Sequence, residues 1–207
     1  MKIGWACLLT AVIGDFAVPY LLALFYPGYS HTKQVMSLLG NPKSPVRSWY
    51  NLWLLLLGFF LLASFPAFVV TYWSESTGLT IAVLILTGLF AIGAGILSGL
   101  FSVNETRTEQ NLASKVHGIG ASLGFMALSF VPLLLSILSF RQGETGIGIL
   151  SAVSFGLGIV FFLLFIMADK EKFKSTWIEK EGLWQRLSLL CMYLPFAAVS
   201  IQKLMEG

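Results

Sequence analysis

The chain has 207 residues, of which 57 % are apolar and only 11 % are charged, and its mean hydropathy is +0.82. A soluble domain is usually about 25 % charged, so this composition excludes a disordered chain, a disulfide-rich secreted domain and most soluble enzymes. The net charge of +3 is spread over short segments between apolar stretches, which argues against a nucleic-acid partner, because such proteins carry a basic stripe on a solvated face.

Six long apolar segments follow one another along the chain, each bounded by polar or charged residues. A membrane-spanning helix needs ~20 such residues, and helices are expected because lipid cannot pair free backbone groups. The predicted fold is all-α: a polytopic bundle of six transmembrane helices forming one integral membrane domain, 1–207, of a multi-pass cell-membrane protein. The predicted spans are 3–26, 49–73, 79–103, 116–140, 147–168 and 183–204.

The first segment resembles a secretory signal peptide only in its opening Met1-Lys2. A signal peptide has an apolar core of roughly 7–15 residues followed by a small-x-small cleavage site. This segment is longer and lacks such a site, so we expect it to be retained as the first span.

Asp15 lies near the middle of that first span, four residues before Pro19. A charged group at this depth costs roughly 3 kcal/mol on insertion scales, so its side chain is expected to face the bundle interior. Two interpretations stay open. Asp15 belongs to a site for protons or a polar headgroup, or it is a neutral carboxyl that hydrogen-bonds to a neighbouring helix.

Small residues recur every four positions in the third and fourth spans and cluster in the fifth. This spacing lets helix backbones approach closely, and it predicts a tight bundle centred on spans three, four and five. The residues concerned are Ala91, Gly95, Gly99, Gly120, Gly124, Ala152, Gly156 and Gly158.

Basic residues divide unequally between the two sides of a six-span bundle. Three of the 13, Lys2, Arg141 and Lys203, belong to one side, and the other ten belong to the connections after spans one, three and five. This asymmetry predicts that the ten face the cytoplasm and that both termini are non-cytoplasmic. The ten are Lys33, Lys43, Arg47, Arg107, Lys115, Lys170, Lys172, Lys174, Lys180 and Arg186.

The connection after the fifth span contains Phe173 and Trp177, four residues apart, with lysines around them. This spacing is typical of a short helix lying on the membrane surface, over 170–180. A solvated charged loop is the alternative, and the sequence leaves both open.

Polar residues also gather at the predicted cytoplasmic ends of the spans. Glu105 and His117 flank the short connection between spans three and four, where a carboxylate would hold the imidazole in one tautomer. Such a pair acts as a general acid and base, binds a headgroup, or simply holds the loop. The candidate site residues are Asp15, Ser37, Arg47, Asn51, Asn104, Glu105, Arg107 and His117.

Motifs for nucleophilic catalysis, phosphate binding and dinucleotide binding do not occur in the sequence. With two cysteines and two histidines, a dedicated zinc site is not expected. We therefore predict no cofactor and no metal, and we assign no catalytic residue.

Several short motifs stand at the ends of the predicted spans. They are Tyr26-Pro27-Gly28-Tyr29-Ser30, Ser37-Leu38-Leu39-Gly40, Trp49-Tyr50-Asn51, Gly58, Gly99-Leu100-Phe101-Ser102-Val103-Asn104-Glu105 and His117. Together they resemble the DUF998 family of bacterial and archaeal membrane proteins. The resemblance implies six helices with a polar cluster at one face, and it supplies no reaction. The family's usual aspartate after span three is replaced here by Asn104-Glu105.

The leading functional hypothesis is a small integral membrane protein that binds or translocates a lipid or other amphiphile through the cytoplasmic polar cluster. One alternative is an intramembrane enzyme acting on a lipid or polyprenyl substrate. Another is a non-catalytic subunit of a membrane complex. The expected partner is membrane lipid, and a homo-oligomer or a membrane protein partner is left open.

Overall fold

The computed structural model describes residues 1–103 and 111–206, and this part of the chain is a bundle of helices without strands. Six helical segments are long and apolar enough to cross a membrane, which confirms the predicted all-α fold. They are numbered spans one to six in chain order: Lys2–Ala23, Arg47–Tyr72, Thr77–Leu100, Leu112–Arg141, Thr145–Ala168 and Glu181–Met205. We call the end that carries the connections after spans one, three and five the basic end; its cytoplasmic location stays a prediction.

Spans two and four are each broken into two helices. Pro66 and Pro132 stand in the first turn after the breaks, where a proline's missing N–H costs no helical hydrogen bond. Just before each break, Ser64 and Ser129 donate hydroxyl hydrogen bonds of 2.6 and 2.7 Å to the carbonyl three residues earlier. The four helices are Arg47–Ala63, Phe65–Tyr72, Leu112–Ser129 and Val131–Arg141.

Span three changes its helical form partway along. It begins as the α-helix Thr77–Phe90, continues as a π-helix over Ala91–Leu97 and ends as the short α-helix Ser98–Leu100. The Ser98 hydroxyl donates to the Gly93 carbonyl at 3.0 Å across the wide turn. Such π-helical turns are rare in proteins, and those that do occur are often found at functional sites.

Glycines bring spans two, three and four into close backbone contact. A Cβ added at Gly95 would lie 2.9 Å from the Gly58 Cα, and one added at Gly120 would lie 3.0 Å from the Gly93 carbonyl oxygen. Span five does not share this contact, because Gly156 borders open space and a Cβ added at Gly158 would lie 3.3 Å from the Cys191 Cβ of span six. The close glycine contacts predicted for spans three to five therefore lie among spans two to four.

The first connection folds back onto the bundle at the basic end. It starts with a turn in which the Tyr29 N–H donates to the Tyr26 carbonyl at 3.1 Å, and Gly28 supplies the positive φ of 80°. A 3-10 helix, Met36–Gly40, follows. The connection is joined to the start of span six because the Leu183 N–H donates to the Thr32 carbonyl at 2.9 Å.

The connection between spans five and six forms two short 3-10 helices, Glu171–Phe173 and Trp177–Glu179, instead of one surface helix over 170–180. The interruption lies at Ser175, whose φ of +64° is incompatible with a continuing helix. The Glu179 carboxylate accepts a 2.7 Å hydrogen bond from the Ser175 N–H and stabilises this turn.

Candidate functional site

Asp15 points into the bundle, with 3 % of its surface exposed. Its Oδ1 accepts a hydrogen bond from Trp53 Nε1 at 3.1 Å, and its Oδ2 accepts one from the Tyr193 hydroxyl at 2.9 Å. The carboxyl group of span one is thus joined to spans two and six, and each of its oxygens has a donor.

A small polar cavity lies beside this carboxyl group, and we call it the inner chamber. Its volume is about 60 Å³, enough for a few water molecules. Ala94 and Ser98, at and just after the π-helix of span three, form part of its wall. Its polar wall residues are Asp15, Ser37, Tyr50, Ser98, His117 and Gln185.

His117 has its tautomer fixed by the backbone of span three. Its Nδ1 lies 2.9 Å from the Phe101 carbonyl oxygen, and a carbonyl can only accept, so Nδ1 carries the proton. In the neutral ring the lone pair is then on Nε2, which is the nitrogen available to accept a proton or a hydrogen bond. The partner proposed from the sequence, Glu105, lies outside the described residues, as do Asn104 and Arg107.

Arg47 and Asn51 meet at Ser102, one residue beyond the carbonyl that holds His117. The Ser102 hydroxyl accepts hydrogen bonds from Asn51 Nδ2 at 3.0 Å and from Arg47 Nε at 3.3 Å. Asn51 Oδ1 is buried without a hydrogen-bond partner in the described part of the chain. The predicted polar residues thus form two adjacent groups: Asp15, Ser37 and His117 line the inner chamber, and Arg47 and Asn51 lie beside it.

A larger cavity of about 420 Å³ opens between spans four and five, and we call it the lateral cleft. This volume lies within the range of small-molecule sites. Its polar part includes Asp169 and Glu181, and its apolar part includes Phe162, Phe165 and Ile166. It shares five wall residues with the inner chamber: Ser37, His117, Ala121, Phe125 and Gln185.

Arg186 is the main polar residue at the basic end that the sequence analysis did not select. Its Nη1 donates to the carbonyls of His31, Gln34 and Gly182 at 2.6, 3.1 and 2.9 Å, and its Nη2 donates to the Tyr29 hydroxyl at 2.8 Å. One signal was available, because Arg186 stands inside the predicted span 183–204 and a charged residue there needs partners.

The titratable groups of the first connection respond to burial and to this guanidinium. Burial raises the pKa of the Tyr29 hydroxyl, and the charge of Arg186 partly offsets the rise. Burial also lowers the pKa of His31, and the charge of Arg186 lowers it further. Both groups are therefore neutral at pH 7, and Arg186 carries the charge of this cluster.

Residues 1–103 and 111–206 contain no group of three His, Cys, Asp or Glu side chains placed to hold a metal ion. The polar groups described above have the chemistry of hydrogen bonding and of a single histidine base.

The residues that carry the family resemblance meet around this site. Ser37, Tyr50 and His117 line the inner chamber, Asn51 lies beside it, and Tyr29 contacts Arg186. Neither a curated protein nor a solved structure matches the chain. The family described as "Protein of unknown function (DUF998)" matches residues 9–202, so this membrane-spanning helical chain belongs to the DUF998 family.

Proposed function

We propose that the protein binds an amphiphile in the lateral cleft, with the polar end of the ligand at His117. The observation that carries this proposal is the wall of five residues shared by the cleft and the inner chamber. The two cavities border the same five side chains, so we infer that a molecule dissolved in the bilayer reaches His117 sideways, between spans four and five.

The uncharged polar residues of the cleft define the headgroup that we propose for it. Gln185, Ser37 and His117 line the cleft. They offer both hydrogen-bond donors and acceptors, which suits a neutral headgroup with hydroxyl groups.

The apolar part of the cleft suits a hydrocarbon chain. Phe125 of span four faces Phe162 and Phe165 of span five in the same cavity, and the rings of Phe125 and Phe165 are 6.2 Å apart. The glycines of spans three and four are used for contacts among spans two to four, and aromatic rings line this part of the cleft.

A photoreactive monoacylglycerol, with the reactive group in its acyl chain, tests this proposal. We expect it to label residues 162–166 of span five and 125–126 of span four in the full-length protein in nanodiscs. Ala121→Phe places a ring in the shared wall and should reduce this labelling about tenfold, the change that ~1.4 kcal/mol of binding free energy produces.

Ala152→Phe is the matched control, because Ala152 is an exposed alanine of span five that lines neither cavity. It should leave the labelling unchanged. Equal labelling of both variants, or labelling confined to outward residues such as Leu157 and Val160, would contradict binding in the cleft.

Binding, rather than transport or catalysis, is the function that these contacts support. The Phe101 carbonyl holds His117 so that Nε2 is oriented to accept a hydrogen bond from a headgroup hydroxyl. If the monoacylglycerol is recovered hydrolysed, and His117→Gln abolishes the hydrolysis, the intramembrane enzyme replaces the binding protein. We propose that the protein binds its ligand in the cell membrane.

A further inference from the structure

A third cavity, larger than the other two, lies between spans one and six and shares Met36 with the inner chamber. This groove has a volume of about 730 Å³ and apolar walls that include Val12, Phe16, Leu190 and Leu194. The wall residues of span one extend from Val12 to Leu21, which corresponds to ~13 Å at 1.5 Å per residue. Its length and its walls are those of a site for an acyl chain.

The groove is polar where it reaches the basic end. His31 and Arg186 line it there, and the His31 ring stacks on Tyr20 with the ring centres 4.9 Å apart. His31 is neutral at pH 7, because both burial and the neighbouring guanidinium lower its pKa. The groove therefore ends at a single positive charge.

The hydrogen bonds of Arg186 leave that charge available. All four of its acceptors are neutral: three backbone carbonyls and the Tyr29 hydroxyl. In the described part of the chain, the ion pair within 4.0 Å is Lys203–Glu206, so no carboxylate oxygen there lies that close to Arg186. Among the same residues, its Nε–H and one hydrogen of Nη2 have no acceptor, so the guanidinium keeps two N–H donors there.

We propose that this groove binds one anionic phospholipid, with an acyl chain between spans one and six and a phosphate oxygen that accepts hydrogen bonds from the remaining N–H donors of Arg186. Arginine suits this role because its planar fork matches phosphate geometry and charge-assisted hydrogen bonds are the strong ones. The site is separate from the lateral cleft, whose charged wall residues are acidic, and the inference does not rest on the function proposed above.

Native mass spectrometry of the full chain tests the proposal. The protein is released from nanodiscs made of equal parts of phosphatidylglycerol and phosphatidylcholine. We expect one phosphatidylglycerol to be retained in preference to phosphatidylcholine. Ala17→Trp fills the groove from an exposed position on its wall and should reduce the retained phosphatidylglycerol about tenfold, equivalent to ~1.4 kcal/mol.

Two further variants separate the contributions of shape and charge. Ala152→Trp adds the same ring to the exposed face of span five and should leave lipid retention unchanged. Arg186→Lys keeps the charge and removes the fork, so it should lower the preference for phosphatidylglycerol severalfold while the acyl chain is still held. If circular dichroism shows that the Arg186→Lys variant does not fold, the proposal is tested by the lipid retention of Ala17→Trp.

Three results would overturn the proposal. The first is equal retention of the two lipids, and the second is unchanged retention in Ala17→Trp. The third is displacement of the lipid by excess glycerol phosphate, which would show that a soluble phosphate suffices. A dimer that dissociates in Ala17→Trp would assign the groove to a second copy of the chain. Monoacylglycerol labelling of Ala17→Trp should remain normal, so this test and the test of the cleft fail independently.

Discussion

The lateral cleft and the groove between spans one and six both border the inner chamber, and they differ in their charged wall residues and in size. The cleft, about 420 Å³, has the acidic residues Asp169 and Glu181 in its wall, whereas the groove, about 730 Å³, ends at Arg186. The cleft shares five wall residues with the chamber, whereas the groove shares Met36 with it. Tyr193 also connects the groove to the chamber, because it lines the groove and its hydroxyl donates to Asp15.

The two ionisable groups beside these cavities are bonded differently. Both oxygens of Asp15 have donors, from Trp53 and Tyr193, so this carboxyl group contributes to helix packing. The half-buried Arg186 is bonded to neutral acceptors, and within residues 1–103 and 111–206 two of its N–H groups have no acceptor. The difference indicates that Asp15 mainly stabilises the bundle, whereas Arg186 both anchors the first connection and retains the capacity to bind an anion.

Replacing Asp15 is the change with the largest expected effect. Asp15→Leu leaves the buried donors of Trp53 and Tyr193 unpaired, and at ~1–3 kcal/mol each the free energy of unfolding should fall by about 3 kcal/mol. Denaturant unfolding in detergent micelles measures this loss. Ser200→Ala is the control, because the buried Ser200 hydroxyl has no hydrogen-bond partner among the residues that the structure describes, and its removal should change stability little. Similar stability of the two variants would contradict a structural role for Asp15.

Gly93→Ala should have the next largest effect, because the added methyl group would collide with the backbone of Gly120. Overpacking of this kind costs typically 1–3 kcal/mol, so about 2 kcal/mol is expected in the same assay. Gly156→Ala, with open space around it, should instead be neutral or stabilise by up to roughly 1 kcal/mol. A loss of unfolding free energy in Gly156→Ala similar to that in Gly93→Ala would show that span five also takes part in the close glycine contacts.

Arg186→Gln should have a smaller, local effect on the first connection. It weakens the hydrogen bonds to the His31 and Gln34 carbonyls, each with a net value of ~1 kcal/mol, so amide exchange in this connection should accelerate about fivefold or more. Hydrogen-exchange mass spectrometry of residues 29–35 measures the rate, with residues 53–61 of span two as the internal reference. An unchanged rate would show that Arg186 does not anchor the connection.

The smallest effect is a pKa change at His31. Its pKa lies below the ordinary 6.5 because burial, and then the charge of Arg186, disfavour the protonated ring. A group with a lowered folded-state pKa stabilises the fold above its unfolded pKa, and this contribution is lost as the pH falls through the folded-state pKa. The first connection should therefore loosen below pH 6.5.

Histidine NMR titration measures this pKa directly, with His31→Gln to assign the signal. Arg186→Gln should raise the pKa of His31 part of the way to 6.5, since burial, the larger cause, remains. A His31 pKa above 6.5 in the unaltered protein would mean that the ring faces an anion instead of the guanidinium.

The sequence predicted the six spans well, because the bilayer thickness sets their length and the need to pair every backbone N–H and C=O group in lipid requires helices. Neither constraint depends much on tertiary structure. Span one was predicted to continue to 26, and it ends at Ala23 because the Pro27-Gly28 turn follows closely. The inward position of Asp15 was predicted from the free energy that a carboxyl group costs when it faces lipid. Its partners were not, because nothing local in a sequence states that Trp53 and Tyr193 face the same side.

The helical geometry of span three also could not be predicted from the sequence. The π-helix over Ala91–Leu97 depends on how spans two and four pack against span three, and no composition rule marks it. Arg186 was counted as a charge of the basic end, although its position in a span pointed to buried partners. Two of the three carbonyls that accept its hydrogen bonds belong to a connection more than 150 residues earlier in the chain.

The central claim is that a polar chamber inside the bundle opens through the lateral cleft, and thiol accessibility at Ala121 tests it most directly. Ala121→Cys and Leu128→Cys, two turns apart on the same helix, are compared in a protein whose Cys7 and Cys191 are replaced by serine. Ala121 lines the chamber and the cleft, whereas Leu128 is 0 % exposed. A hydrophilic methanethiosulfonate should modify Ala121→Cys many times faster, and monoacylglycerol should slow it; equally inert thiols at both positions would contradict the claim.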